Sequence, residues 1–132
     1  MAMGVKELVA AAEKQIETVS VSDALAEFGK PEVIFIDLRD IRELWREGKI
    51  PGAVHIPRGM LEFWLDSESP YYRSDVFAKP ARFILYCKLG WRSDLATQTA
   101  QTMGLTNACH VGGGFTRWIE QGGPVEVVEK RK

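Results

Sequence analysis

The chain has 132 residues, 45% of them apolar and 27% charged, with a formal net charge of −1. That length suits one domain with a substantial core, and the near-neutral balance gives no general attraction to polyanions. No basic block interleaved with aromatics marks a nucleic-acid site, and no apolar run reaches membrane-spanning length, so neither partner is expected.

The start, Met1 to Glu7, lacks a basic stretch followed by an apolar one, so no signal peptide is expected. Two cysteines, Cys87 and Cys109, form neither a disulfide framework nor a zinc-ligand spacing. No metal or cofactor is therefore expected, and a cytoplasmic location in a reducing compartment is.

Between Val5 and Val19, Leu8, Val9, Ala12 and Ile16 fall on one helical face. This predicts an amphipathic N-terminal helix, residues 1–19, packed on a single domain of residues 20–132. Residues 20–23 offer a short extended piece and an N-cap, and Ala24–Phe28 a brief helix stopped by Gly29 and Pro31. Glu32–Asp37 reads as a buried strand, because its continuous apolar run suits a parallel sheet covered on both faces. Asp40 with Glu43 forms a capping-box pattern for a helix carrying Ile41, Leu44 and Trp45 inward and ending at Gly48. A Pro-Gly turn and a short strand follow, stopped by Pro57. Met60–Leu65 predicts a helical turn or two, and residues 66–78 an ordered connection.

Arg82–Tyr86 is the next strand, and Ser93–Met103 the next helix, with Leu95, Ala96, Thr99, Ala100 and Met103 as its stripe. Asn107–Val111 predicts a short strand, Gly112–Gly114 a tight passage, and Phe115, Trp118 and Ile119 one face of a final helix. The charged tail, Val125–Lys132, is expected to fray. Strands alternate with helices, which builds an α/β fold: a small parallel β-sheet flanked by helices on both faces, with the extra N-terminal helix outside it. In such sheets the site lies beyond the carboxyl ends of the strands, where Asp37, Cys87 and Gly112 all fall.

Cys87 stands where a buried strand passes into a helix, so free backbone N–H groups and a helix dipole meet there. Such a position favours thiolate over thiol and gathers anions. Gly90 lets the loop curl so that several amides point inward, and Lys88 and Arg92 add positive charge. A buried, inert cysteine ending a core strand is the plainer alternative, but cationic flanks and a glycine fit it poorly.

Four segments together resemble the rhodanese-like (sulfurtransferase) family. They are Ile36-Asp37-Leu38-Arg39, Glu47 through Pro57, Cys87-Lys88-Leu89-Gly90-Trp91-Arg92-Ser93, and Gly112 through Trp118. They stand in the family's order and cover roughly residues 20 to 124. Lys49 departs from the histidine common in the family, which is expected to affect packing rather than chemistry. The resemblance implies an active-site loop from Cys87 to Arg92 that carries sulfur as a persulfide. The Cys87 thiolate would take sulfur from thiosulfate or a similar small anionic donor and pass it to cyanide or a thiol acceptor. Lys88, Leu89, Gly90, Trp91 and Arg92 would bind substrate, with Arg58 as a third cation at the rim. Asp37 and Arg39 would support the loop as a buried ion pair.

A cysteine phosphatase or arsenate reductase shares this logic but has one more residue between cysteine and arginine. Here four intervene, Ser93 takes the next position, and Tyr86 replaces the histidine of the phosphatase motif. Two further alternatives are a persulfide carrier fed by a sulfur-relay protein, and a non-catalytic recruitment module. His55, His110 and Cys109 read as strand or core residues, with Cys109 a resolving thiol only if it reaches Cys87. Trp91 is expected to wall the site or to pack on the following helix.

Overall fold

The computed structural model describes residues 2–130; Arg131 and Lys132, the end of the tail expected to fray, lie outside the described residues. The chain runs α1 (Val5–Glu13), β1 (Glu17–Val19), α2 (Val21–Glu27), β2 (Val33–Asp37), α3 (Ile41–Glu47) and β3 (Val54–His55). A 3-10 turn (Arg58–Met60), α4 (Leu61–Leu65), α5 (Ser74–Phe77) and β4 (Arg82–Tyr86) follow. α6 (Trp91–Thr102), β5 (Ala108–Val111) and α7 (Gly114–Glu120) complete it. The five strands form one sheet in the order β1-β5-β4-β2-β3, and every pairing is parallel.

Side-chain alternation divides the core between the two faces of the sheet. Phe35, Ile84, Tyr86, Cys109 and Val111 meet Phe115 and Trp118 of α7 and Val21 and Ala24 of α2. Ile36, Phe83, Leu85 and Ala108 meet Leu61, Val76 and Ala96, contributed by α4, α5 and α6. Trp118 is fully buried and meets Phe28 and Phe35 edge-on at 5.9 and 5.8 Å, contacts worth about 0.5–1.5 kcal/mol each beyond their buried area.

Several local expectations need correction. The N-terminal helix stops at Glu13, and residues 17–19 instead form an edge strand, with Thr18 opposite His110 in register. Three residues are too few for a pairing signal, and only β5 makes them a strand. Ser20 caps α2 by accepting from the Asp23 N–H, so this helix starts three residues before Ala24. Residues 66–78 hold α5, whose Val76 plugs the core. In α6 the buried face is Ser93, Asp94, Ala96, Thr97 and Ala100, while Met103 is exposed. Small and polar residues face inward there because α6 is wedged between the sheet and α1. Ile41 and Ile119 are likewise exposed. The tail is tied down by reciprocal Lys49–Glu126 backbone hydrogen bonds of 2.9 and 2.8 Å. Lys49, the residue that departs from the family's histidine, also donates its Nζ to the Ala53 carbonyl.

Candidate active site

Cys87 follows the last residue of β4, at the same sheet edge as Asp37 and Val111. Gly90 caps α6 with φ +129°, a conformation that side chains rarely adopt, and its N–H points back to Cys87 Sγ at 3.1 Å. Ser93, on the first turn of α6, places its hydroxyl 3.6 Å from the same sulfur. The sulfur thus receives one backbone N–H rather than the several the sequence suggested. Residues Cys87–Arg92 line a cleft of about 470 Å³. Cys87 lies at its floor, 1% exposed, whereas Leu89 and Trp91 are 66% and 49% exposed on its rim. Trp91 opens α6 rather than packing beneath it.

The loop is held from the other side by α7. The Phe115 and Thr116 N–H groups donate to the Cys87 and Lys88 carbonyls at 2.8 and 3.1 Å. These amides are free because they belong to the first turn of a helix. Gly114 lets them approach: its φ is +61°, and a Cβ there would stand 2.5 Å from both carbonyl oxygens. Turning the carbonyls of residues 87 and 88 toward α7 leaves the opposite side of the loop to the sulfur.

The expected cations are present but already paired. Arg92 donates to both carboxylate oxygens of Glu43, at 2.8 and 3.0 Å, and Lys88 Nζ donates to Glu47 at 2.7 Å. The Arg92 hydrogen bonds hold the Glu43 carboxyl below its ordinary range. Arg58 pairs with Glu62 at 2.9 Å and lies outside the residues lining the cleft. Free positive charge at the rim is therefore not what this loop offers. Glu43 and Glu47, four residues apart, share one helical face, but only the fold turns that face of α3 toward the loop.

Beneath the loop, Asp37 and Arg39 form a fully buried pair, with Nη2 donating to Oδ2 at 2.7 Å and Nε to Oδ1 at 3.0 Å. Arg39 also donates to Glu47 at 3.1 Å and to the Gly48 carbonyl at 2.7 Å, and its guanidinium lies 4.3 Å from the centre of the Phe115 ring. Asp37, Arg39, Glu47 and Lys88 thus link β2, α3 and the loop. His55 bonds the Arg39 carbonyl at 2.7 Å. Tyr86, its ionisation suppressed by burial, accepts the Ile50 N–H at 3.1 Å.

Comparison with known proteins decides the family. The rhodanese-like domain family matches residues 20–121. The chain belongs to that family. It is 29% identical to human thiosulfate:glutathione sulfurtransferase over 79% of its own length and 94% of that protein. It is also 29% identical to mouse thiosulfate sulfurtransferase/rhodanese-like domain-containing protein 3, over 67% of its own length and 59% of the mouse protein. A solved structure from Rhodopseudomonas palustris, described as a protein of unknown function and possible tyrosine phosphatase, is 44% identical with a TM-score of 0.92, covering 96% of each chain.

In this rhodanese-like chain the loop also has a polar rear wall, which the sequence did not disclose. Ser93 Oγ lies 2.9 Å from His110 Nδ1 and 3.1 Å from the Gly90 carbonyl, to which it can donate. His110 Nε2 lies 3.0 Å from Thr18 Oγ1 and 3.3 Å from Asp94 Oδ1. Ser93, Asp94 and His110 are all buried, and Asp94 Oδ1 has no hydrogen-bond partner among the described residues. Burial pushes His110 down to about 4, and burial together with the Glu13 charge pushes the Asp94 carboxyl up to about 6. Glu13, Asp94 and His110 bring their polar atoms within 4.8 Å of one another. His110 Nε2 is spent on Thr18, however, so this is a hydrogen-bonded group rather than an open ligand set. Cys109 sits in the core on the opposite face of the sheet, its thiol pushed up to about 12 by burial.

No helix among the described residues is long and apolar enough to cross a membrane.

Proposed function

We propose that the chain moves sulfane sulfur from thiosulfate or a similar donor to cyanide or a thiol acceptor, through a persulfide on Cys87. The observation that carries this reading is the placement of Sγ on the floor of a cleft, facing the Gly90 N–H at the start of α6. In the first half-reaction the Cys87 thiolate attacks the donor's outer sulfur. An S–S bond to Cys87 forms as the donor's own S–S bond breaks, and sulfite leaves with the electron pair. In the second, the acceptor attacks the terminal sulfur and Cys87 departs as thiolate. The Gly90 N–H stands where each thiolate develops, so that charge is met by a fixed donor, with the Ser93 hydroxyl 3.6 Å away. A reducing cytosol would keep the thiol available.

The human relative's name supports a thiosulfate donor and a glutathione acceptor, and 94% coverage of that protein strengthens the comparison. The phosphatase description of the bacterial neighbour points elsewhere, but Arg92 is engaged with Glu43 rather than held open for an oxyanion. The paired cations favour one variant of the main reading, in which a sulfur-relay protein feeds Cys87 in place of a free anion. Thiocyanate formation from thiosulfate and cyanide tests the proposal. Turnover by the native chain and its loss in Cys87→Ser are expected. Equal turnover in Cys87→Ser, or phosphate-ester hydrolysis in its place, would overturn it. Sulfur uptake only from a protein persulfide would select the relay variant.

A further inference from the structure

Resting on the persulfide reading, the geometry points to His110 as a positioning residue for Cys87: it receives the thiol proton through Ser93, with Asp94 as its counter-charge. Two contacts make the path and a third sets a charge beside its end. Cys87 Sγ lies 3.6 Å from Ser93 Oγ, Ser93 Oγ lies 2.9 Å from His110 Nδ1, and His110 Nε2 lies 3.3 Å from Asp94 Oδ1. Along it the Cys87 S–H bond breaks as its proton moves to Ser93 Oγ, while the Ser93 proton moves to Nδ1. The products are a thiolate and an imidazolium, and Ser93 ends with one proton as it began. No charge enters or leaves the core.

The buried surroundings suit this role. Cys87, Ser93, His110 and Asp94 are each no more than 3% exposed. Burial lowers His110 and so opposes a lone imidazolium; the ring can hold the proton only with the thiolate and the Asp94 carboxylate beside it. The transfer creates two opposite charges linked by one hydroxyl, beside a carboxylate oxygen with no other hydrogen-bond partner. Each hydrogen bond strengthens the next in so dry a setting. The groups facing His110 are Asp94 from α6, Glu13 from α1, the neutral Thr18 hydroxyl from β1 and, through Ser93, Cys87. Glu13 and Thr18 precede the part of the chain that the family match covers, so the N-terminal addition closes this rear wall.

The test is an ultraviolet titration of the Cys87 thiolate in the full chain, read as the difference from Cys87→Ala in the same background. Ser93→Ala and His110→Asn are expected to move the midpoint of thiolate formation upward by about one to two pH units, the size of one charge-assisted hydrogen bond. The double variant is expected to match the larger single shift, because both substitutions cut one path. A merely structural role predicts lost stability with an unmoved midpoint. Should His110→Asn not fold, His110→Gln takes its place, with the same shift expected and an unmoved midpoint overturning the assignment. Midpoints within about 0.3 units of the native one, or a shift in Ser93→Ala with none in His110→Asn, would overturn the assignment. Persulfide loading of the same variants at alkaline pH tests the sulfurtransferase reading separately.

Discussion

The two sides of the Cys87 loop are built from opposite materials. In front stand exposed apolar side chains, Leu89 and Trp91, and two cations held by the acids of α3. Behind stand a buried serine, histidine and aspartate, the last with a carboxylate oxygen that has no hydrogen-bond partner among the described residues. Charge that could have faced the substrate is neutralised, while charge that burial opposes is retained beneath the sulfur. The difference teaches that, on the persulfide reading proposed above, the loop does not work by a field of free cations. Its electrostatic control comes from short, directed contacts in a dry place, which count for more than paired charges at a wet rim.

Beneath both sides lies the buried Arg39, which shares Glu47 with Lys88, so the largest effect is expected there. Arg39→Met leaves Asp37 buried without its partner and should cost roughly 3–5 kcal/mol in denaturant unfolding. Gly114→Ala comes next. A methyl pressed against the Cys87 and Lys88 carbonyls, at a φ favouring glycine, should cost roughly 1–3 kcal/mol and displace the loop, read as lost stability together with lost sulfur transfer.

At the rear, Asp94→Asn is expected to stabilise the fold at neutral pH by roughly 1–2 kcal/mol while weakening Cys87 ionisation. The sign follows from the shift. A carboxyl raised from 3.8 to about 6 in the fold favours folding below its unfolded value, and that contribution is lost as pH rises through about 6. The variant's advantage should therefore appear above pH 6 and vanish near pH 4. His110 acts in the opposite sense. Lowered from 6.5 to about 4, it supports the fold above its unfolded value, and this support is lost as pH falls through about 4. The smallest effect is expected from Glu43→Gln, which releases Arg92. Unfolding should change by less than about 1 kcal/mol. Turnover with an anionic donor should rise a few-fold at low salt and return to the native value as salt screens it.

What could be read from the sequence divides along the same line. The strands β2 and β4, the capping box at Asp40, the glycine passage before α7 and the position of Cys87 all follow from local pattern. They are legible because each depends on neighbours within a few residues. β1 was not, because three residues become a strand only where β5 receives them. Arg92 and Lys88 were visible as charges, but their neutralisation required α3 to be laid alongside the loop. His110 could be placed on its strand, yet its relation to Ser93 joins residues 17 positions apart, and that to Thr18 joins residues 92 positions apart. The stripe chosen for α6 erred because apolar periodicity overlooks a helix whose buried face is small and polar.

Peptide mapping of the chain after thiosulfate treatment bears most directly on the central claim. One additional sulfur atom is expected on the peptide that holds Cys87, lost again on exposure to cyanide, with the Cys109 peptide unchanged. An unmodified Cys87 peptide in a folded chain, after both thiosulfate and a protein persulfide have been supplied, would contradict the account.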